Sequence, residues 1–250
     1  MSGHSKWATT HRQKETTDAK KGAIFTKLAN QITLATREGG ANPESNFKLR
    51  LAIDKARTSN MPNDNVARAI KRGSGELAGQ KFEEAVYELM APEGVAILLE
   101  VLTDNKNRIM SDIKKLANGQ GFKIAESGSL LWQFKKQGVL TLDLIKNLKT
   151  FKVLTADKIS KEEMELALID LGAEDFSWQE ETLTIYTKPE ELAKTKQALE
   201  SAGYLISEAE LELVPNNPLP ISEELKEKLS RFFELADENP EINNFYTNAA

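Results

Sequence analysis

The spacing of apolar residues changes at a glycine-rich segment, residues 73–79, and this change limits the possible folds more than any other feature. Before the segment, apolar residues recur every three or four positions, which is the period of an amphipathic helix. After it, short alternating or continuously apolar runs, typical of strands, come between helical stretches. The sequence therefore predicts a helical N-terminal domain followed by α+β structure.

Three helices are predicted before the glycine-rich segment. The first follows Asp18. The second begins with Asn42 as its N-cap and Pro43 at its first helical position. The third begins with Asn63 as its N-cap and ends at Gly73. Each helix has one apolar stripe, so we expect the three to pack as a small bundle.

The middle of the chain predicts a two-layer α+β domain that a further domain interrupts. Its first elements are strands over residues 82–91 and 94–102, a helix over 106–118, and a strand in which Leu130, Trp132 and Phe134 alternate. Much later, Ser222 caps a helix with a wide apolar face, which needs a sheet to cover. We therefore expect the chain to leave the middle domain, build another domain and return.

The interrupting segment predicts a β-α-β-β-α-β domain, the ferredoxin-like arrangement. Its elements are strands over 138–144, 174–178, 182–187 and 204–214, with a helix capped by Ser160 and Glu163 and another over 189–202. Residues 145–159 receive no assignment.

The predicted fold class is multidomain α and α+β, with an N-terminal three-helix bundle and two ferredoxin-like α+β domains, the third inserted in the second. The predicted parts are a flexible basic tail over residues 1–15, the helical bundle over 16–79, the middle domain over 80–136 with 208–250, and the inserted domain over 137–207.

The positive charge of the chain is concentrated at its N-terminal end. Residues 1–75 contain 14 Lys and Arg against 6 Asp and Glu, a net charge of +8, although the whole chain has −5. The remainder is therefore at −13. A basic end attracts a polyphosphate and an acidic body is repelled by it, which favours nucleic-acid binding. The alternative is a helical domain with solvated Lys and Arg faces.

On the second predicted helix, Lys48 and Lys55 follow one side of the apolar stripe, and Arg50 and Arg57 follow the other. In the tail, Trp7 either stacks on a base or docks on the protein's own helices. The cations that end the third helix also suit its dipole. The predicted nucleic-acid-binding residues are Lys6, Trp7, Arg12, Lys14, Lys20, Lys21, Lys27, Lys48, Arg50, Lys55, Arg57, Arg68, Lys71 and Arg72.

Catalytic and cofactor chemistry has few candidate residues in this sequence. The chain has no cysteine, which excludes disulfides, thiolate nucleophiles and Cys-based zinc sites. Both histidines, His4 and His11, lie in the predicted tail, where no scaffold would fix them. There is no phosphate-binding loop and no apolar run of membrane-spanning length. We expect a cytoplasmic protein that is not an enzyme and needs no metal or cofactor.

Several motifs closely resemble the YebC family, over nearly the whole chain. They are Gly3-His4-Ser5-Lys6-Trp7-Ala8, Asp18-Ala19-Lys20-Lys21-Gly22, Asn60-Met61-Pro62, Thr103-Asp104-Asn105-Lys106-Asn107-Arg108 and Asn244-Phe245-Tyr246-Thr247-Asn248. The resemblance implies one helical and two α+β domains, the last inserted in the middle one. Residues 88–94 depart from the pattern, because the family usually has a glycine-rich turn there.

The resemblance also implies a function, because the family is described as probable transcriptional regulators and includes a mitochondrial translational activator. Our first hypothesis is a DNA-binding transcriptional regulator. The alternative is a ribosome-associated translation factor that binds ribosomal RNA and relieves stalled peptide synthesis; an enzyme of unknown type is a third class. The expected partner is DNA or ribosomal RNA, with no membrane. The sequence shows no helix with a base-reading Asn and Arg face and does not determine the oligomeric state.

Overall fold

The computed structural model of the chain describes residues 18–77, 82–144, 161–179 and 181–250, with side chains from Gly22 in the first helix and Met164 in the fifth. The helices are α1 (Asp18–Gly39), α2 (Phe47–Thr58), α3 (Asn63–Gly73), α4 (Lys106–Gln120), α5 (Lys161–Asp170), α6 (Leu192–Ser201) and α7 (Glu223–Glu238). The strands are β1 (Glu83–Met90), β2 (Ala96–Thr103), β3 (Lys123–Ile124), β4 (Phe134–Asp143), β5 (Asp175–Trp178), β6 (Thr182–Thr187), β7 (Ile206–Pro215) and β8 (Ile242–Thr247). The predicted fold class, multidomain α and α+β, is confirmed.

The chain divides into two compact units. One spans residues 135–214, and the other combines the described residues up to Phe134 with Pro215–Ala250. The second unit contains both the helical bundle and a first sheet, which is formed by β1, β2, β3 and β8. Its bundle has an apolar core of its own, in which Leu28 and Ile32 of α1 meet Leu49 and Ile53 of α2.

Helix α2 begins later than the sequence predicts, because Asn46 and not Asn42 is its N-cap. The Asn46 Oδ1 accepts a hydrogen bond from the Leu49 N–H at 3.0 Å, while its Nδ2 donates to the carbonyl of Ala35 at 2.7 Å. The same amide therefore caps α2 and binds the end of α1. A Cβ at Gly39 would lie 2.7 Å from the Asn46 amide carbon, so glycine is required there.

The N-cap of α3 also differs from the prediction. Helix α3 begins at Asn63 itself, and Pro62 is the N-cap without a side-chain hydrogen bond. A proline before the first turn restricts the backbone without a capping side chain. The end of this helix at Gly73 agrees with the prediction.

The first sheet has the strand order β3-β1-β2-β8, and all its pairs are antiparallel. Helices α4 and α7 cover one face of it, with Ile109 and Ile113 of α4 and Phe232 and Phe233 of α7 in the core. The hydroxyl of Ser222 accepts a hydrogen bond from the Leu225 N–H, so the predicted cap of α7 is confirmed. Helix α7 therefore returns to complete the domain that residues 135–214 interrupt.

Strand β8 is absent from the sequence-based prediction. It pairs with the central strand β2, with Ile97 opposite Thr247. Two adjacent asparagines, Asn243 and Asn244, have a low strand propensity and hide the pattern. Pairing with an already formed strand supplies the hydrogen bonds that local preference does not.

The unit at residues 135–214 has the strand order β5-β6-β4-β7, which is that of the ferredoxin-like fold. Strand β4 pairs with β6 so that Gly138 lies opposite Thr187. A Cβ at Gly138 would lie 2.4 Å from the Thr187 hydroxyl oxygen, which explains the glycine in a central strand. All of β7 lies in this unit, beyond the predicted boundary at residue 207. The unassigned segment 145–159 and the predicted Ser160 cap lie outside the described residues.

The predicted strand through Leu130, Trp132 and Phe134 is wrong. A short 3-10 turn covers Leu131–Gln133, and β4 begins only at Phe134. The side chain of Trp132 is 72% exposed, and its Nε1 donates to the Ser129 carbonyl at 2.7 Å.

The cause of this turn is the buried carboxylate of Glu88, which is 3% exposed. It accepts hydrogen bonds from the backbone N–H groups of Gly128, Leu130 and Leu131, the last at 3.0 Å. These donors are therefore unavailable to a strand. A buried carboxylate needs such partners, so Glu88 determines the loop conformation.

The turn that departs from the YebC pattern contains Glu93 at φ 62°, in the left-handed region that favours glycine. Its carboxylate accepts hydrogen bonds from the Ser222 N–H, at 3.0 Å, and from the Ser222 hydroxyl. These bonds lower the pKa of Glu93. They join the β1–β2 turn to the start of α7, a contact that a glycine could not make.

We predict that Glu88→Gln destabilises this loop, because the new amide NH2 group would face backbone donors. The expected loss in the free energy of unfolding is about 1–3 kcal/mol. Hydrogen exchange should also quicken at the amides of Leu130 and Leu131. The matched control is Glu83→Gln, which removes an exposed pair with Lys106 and should change stability much less. Equal effects of the two variants would contradict the role assigned to Glu88.

Candidate nucleic-acid interface

Helix α2 holds two rows of cations, one on each side of its buried stripe. We call Lys48 and Lys55 the lysine row, and Arg50 and Arg57 the arginine row. The members of each row are two turns apart, so they lie on the same side of the helix. The stripe between the rows, formed by residues such as Leu49, is buried in the bundle core.

The lysine row lies on the side of α2 that is near the carboxylates of the first sheet. The Lys48 Nζ donates to the Glu38 Oε2 at 2.8 Å. This hydrogen bond raises the pKa of Lys48, and attraction by Glu84 and Glu100 adds to the effect. Lys55 lies close enough to Lys27 to lower the pKa of Lys27 by repulsion. Lys48, although half exposed, and Lys55 thus lie on the side of the bundle that faces the first sheet, which we call the seam.

Lys27 must be removed from the predicted binding residues, because its side chain is buried. Its Nζ donates to the Asp237 carbonyl at 2.7 Å and to the Asp237 Oδ1 at 2.9 Å. Burial is the main reason that the pKa of Lys27 is lowered, with attraction by Asp237 acting in the opposite direction. The contact joins α1 to the C-terminal end of α7, where a cation also suits the helix dipole.

The arginine row is exposed. The Cζ of Arg50 lies 5.4 Å from the ring centre of Phe47, which places the guanidinium over the ring. The Nη1 of Arg57 lies 3.8 Å from the Asp54 Oδ1, a long and exposed ion pair. Exposed pairs of this kind are weak and give way readily to a stronger anion. The sequence analysis missed Phe47, although its place three residues before Arg50 on one helix is a signal for such a contact.

The remaining predicted residues divide between α3 and the N-terminal end. Arg68 and Lys71 are exposed and Arg72 is half-buried, so the last turns of α3 also present cations. Lys20 and Lys21 lie near the start of α1, but their side chains are not in the described part of the chain. The predicted tail residues lie outside the described ranges; they are Lys6, Trp7, Arg12 and Lys14.

The polar cluster at the start of α4 has a structural explanation. Asn105 caps the helix by accepting hydrogen bonds from the N–H groups of Asn107 and Arg108. The Nη2 of Arg108 lies 2.6 Å from Asp104 and from Glu241, and these bonds raise the pKa of Arg108. Among the residues that the structure describes, no group of three or more His, Cys, Asp and Glu side chains could hold a metal ion.

None of the described helices is both long enough and apolar enough to span a bilayer.

The chain matches one family along nearly its whole length. Residues 5–76 match the family described as the TACO1/YebC protein N-terminal domain, and residues 82–249 match the TACO1/YebC second and third domain. The helical bundle and the two α+β parts correspond to these matches. The chain belongs to the TACO1/YebC family.

Individual relatives agree with this assignment. A probable transcriptional regulatory protein of Thermoanaerobacter pseudethanolicus is 43% identical over 248 residues, covering 99% of this chain and 96% of the relative. One of the same name from Caldanaerobacter subterraneus is 44% identical, covering 99% and 98%. Among solved structures, a conserved hypothetical protein of Aquifex aeolicus has a TM-score of 0.80 at 37% identity, covering 93% of this chain and 91% of that one.

We predict opposite pH responses for the two seam lysines. Because the pKa of Lys27 is lowered from 10.5, the folded chain releases this proton before the unfolded chain does. Between the pKa of the folded chain and pH 10.5, the unfolded chain keeps this proton and the folded chain does not. In this range the stability of the wild type relative to Lys27→Met should therefore rise with pH.

For Lys48→Met the pH dependence has the opposite sign, because the folded chain keeps the Lys48 proton to a higher pH than the unfolded chain does. Above pH 10.5, the wild type should lose stability relative to this variant. Chemical denaturation at a series of pH values measures both differences. The same sign for the two variants would contradict the burial of Lys27.

Proposed function

We propose that this chain is a non-enzymatic regulator of gene expression that binds nucleic acid through the arginine row of α2. The observation that supports this most is the division of the α2 cations. Lys48 bonds to Glu38 at 2.8 Å with Glu84 and Glu100 nearby, whereas the exposed Arg50 lies over Phe47 and the exposed Arg57 makes a 3.8 Å contact with Asp54. The name of the relatives, probable transcriptional regulatory protein, supports a regulatory role.

The arginine row suits phosphate groups in particular. A guanidinium is planar, keeps its charge and can donate two parallel hydrogen bonds to a phosphate. Arg50 and Arg57 are seven residues apart, about 10.5 Å along a helix, so they would contact different phosphates. Exposed Arg68 and Lys71 of α3 would extend the contact. Such contacts fix position on the backbone and do not distinguish sequences.

The acidic remainder of the chain would orient the complex. Its net charge of −13 opposes contact with a polyanion, whereas the first 75 residues at +8 favour it. The Lys27–Asp237 contact joins the bundle to α7, which covers the first sheet. The arginine row would therefore contact the nucleic acid, and the acidic residues of the chain would be repelled by it.

The name of the relatives supports DNA as the ligand and transcription as the process. A second candidate is ribosomal RNA, with a role in translation on the ribosome. It is favoured by the exposure of Arg50 and Arg57, which can contact the phosphates of RNA as well as those of DNA. A protein that contacts phosphates without reading bases suits a folded RNA as well as DNA.

We predict that the double variant Arg50→Gln/Arg57→Gln weakens binding to every nucleic-acid sequence tested. It should also reduce the salt dependence of binding, by about 0.9 in the logarithmic slope for each duplex phosphate that the variant no longer neutralises. Fluorescence anisotropy with labelled oligonucleotides at a series of salt concentrations measures both effects.

The matched control is Lys48→Gln/Lys55→Gln, which removes the same charge from the same helix on the seam side. It should change affinity much less than the arginine double variant. If the two double variants lost affinity equally, net charge alone would account for binding. If neither did, the arginine row would not be the site.

Whether the chain acts in transcription or in translation is tested in cells, by comparing a deletion strain complemented with the wild type or with the arginine double variant. Promoter occupancy by the wild type, abolished in the variant, would support regulation of transcription. Codon-specific ribosome pauses in the deletion strain, without promoter occupancy, would replace DNA by the ribosome as the target.

A further inference from the structure

Phe47 and Arg50 form a stacked pair on the exposed side of α2. The Arg50 Cζ lies 5.4 Å from the Phe47 ring centre, within the range of a cation–π contact. Arg50 is exposed and Phe47 is only half-buried. Phe47 lies outside the apolar cluster that the described residues of the bundle form, so packing of that core does not explain an aromatic residue here.

The backbone beneath the pair is held in place by Asn46. This side chain is buried and bonds to the carbonyls of Ala35 and Gly40, at 2.7 and 2.8 Å, as well as to the Leu49 N–H. Phe47 follows it directly as the first residue of α2. The ring is thus attached to a fixed point, and it limits the conformations of the Arg50 side chain. A side chain ordered in advance loses less entropy on binding.

We propose that the Phe47–Arg50 pair receives an unpaired base, so that this site prefers single-stranded to duplex nucleic acid. The inference rests on the proposed function and adds the class of ligand. A planar guanidinium supported on an aromatic ring can stack against a base on its outer side while its N–H groups reach the neighbouring phosphate. The faces of bases in a duplex are covered by their neighbours and cannot stack in this way.

The two arginines of the row therefore have different roles. Arg57 pairs with Asp54 and is a phosphate contact, of equal use on single strands and duplexes. Arg50, on its ring, adds a contact that only an unpaired base can make. This difference gives a test that separates stacking from charge.

The test measures the affinity of the full chain for a labelled single-stranded oligonucleotide and for the same sequence as a duplex. The variants are Phe47→Leu, which keeps an apolar side chain without the ring, Arg50→Lys, which keeps the charge without the plane, and both together. Each single variant should lose at least about fivefold affinity for the single strand, the lower end for one stacked base. For Phe47→Leu, duplex affinity should change by less than about twofold, and for Arg50→Lys it should fall less than single-strand affinity does. The double variant should lose little more than either single variant, because the two side chains act as one unit.

Phe47→Trp keeps an aromatic ring, so this variant should keep the preference for the single strand that Phe47→Leu loses. Thermal melting shows whether each variant remains folded. Equal losses on single strand and duplex, or additive losses in the double variant, would overturn the stacking role. Unchanged binding by Phe47→Leu together with weaker binding by Arg50→Gln/Arg57→Gln would also overturn it, while leaving the proposed function intact. Unchanged binding by that arginine double variant would instead contradict the proposed function itself.

Discussion

The attraction between the bundle's lysines and the carboxylates of the neighbouring domain is the interaction on which the arrangement of the candidate site depends. Lys27 bonds to Asp237, and Lys48 lies near Glu84 and Glu100. The ammonium of Lys27 is buried and would be unfavourable without its Asp237 partner, so this contact favours the side of the bundle that meets the sheet. The opposite side of α2 is thereby left exposed with its arginines. Carboxylates of the chain thus neutralise some of the basic side chains of the bundle, and the arginine row stays exposed to solvent.

Buried polar side chains have a comparable role in the loops. Glu88 binds three backbone N–H groups and shapes the turn that exposes Trp132, and Asn46 joins the end of α1 to the start of α2. In each case one side chain satisfies donors or acceptors that a regular element would otherwise have used. Leaving such groups unpaired in the interior is costly, so the position of one buried residue decides the path of several others.

Much of the fold could be predicted because its signals are local. The apolar stripe of α2 and the Ser222 cap of α7 lie within a few residues of the elements that they define. The errors arose where a distant residue overrides a local preference. Asn42 followed by proline is a good local cap, but Asn46 reaches the end of α1. The alternation around Trp132 suggested a strand, but Glu88, more than 40 residues earlier, binds the amides there.

The sequence by itself determined the family, the division into a helical and an α+β part and the separation of charge, because motifs, periodicity and composition are properties of neighbouring residues. It also identified the fourteen candidate binding residues, as a set of cations with one tryptophan at one end of the chain. Only the tertiary structure decided which of the described cations are available to a ligand. Lys27 and Arg57 look alike in the sequence, but the partner of Lys27 is 210 positions away, and folding buries one charge while it leaves the other in solvent.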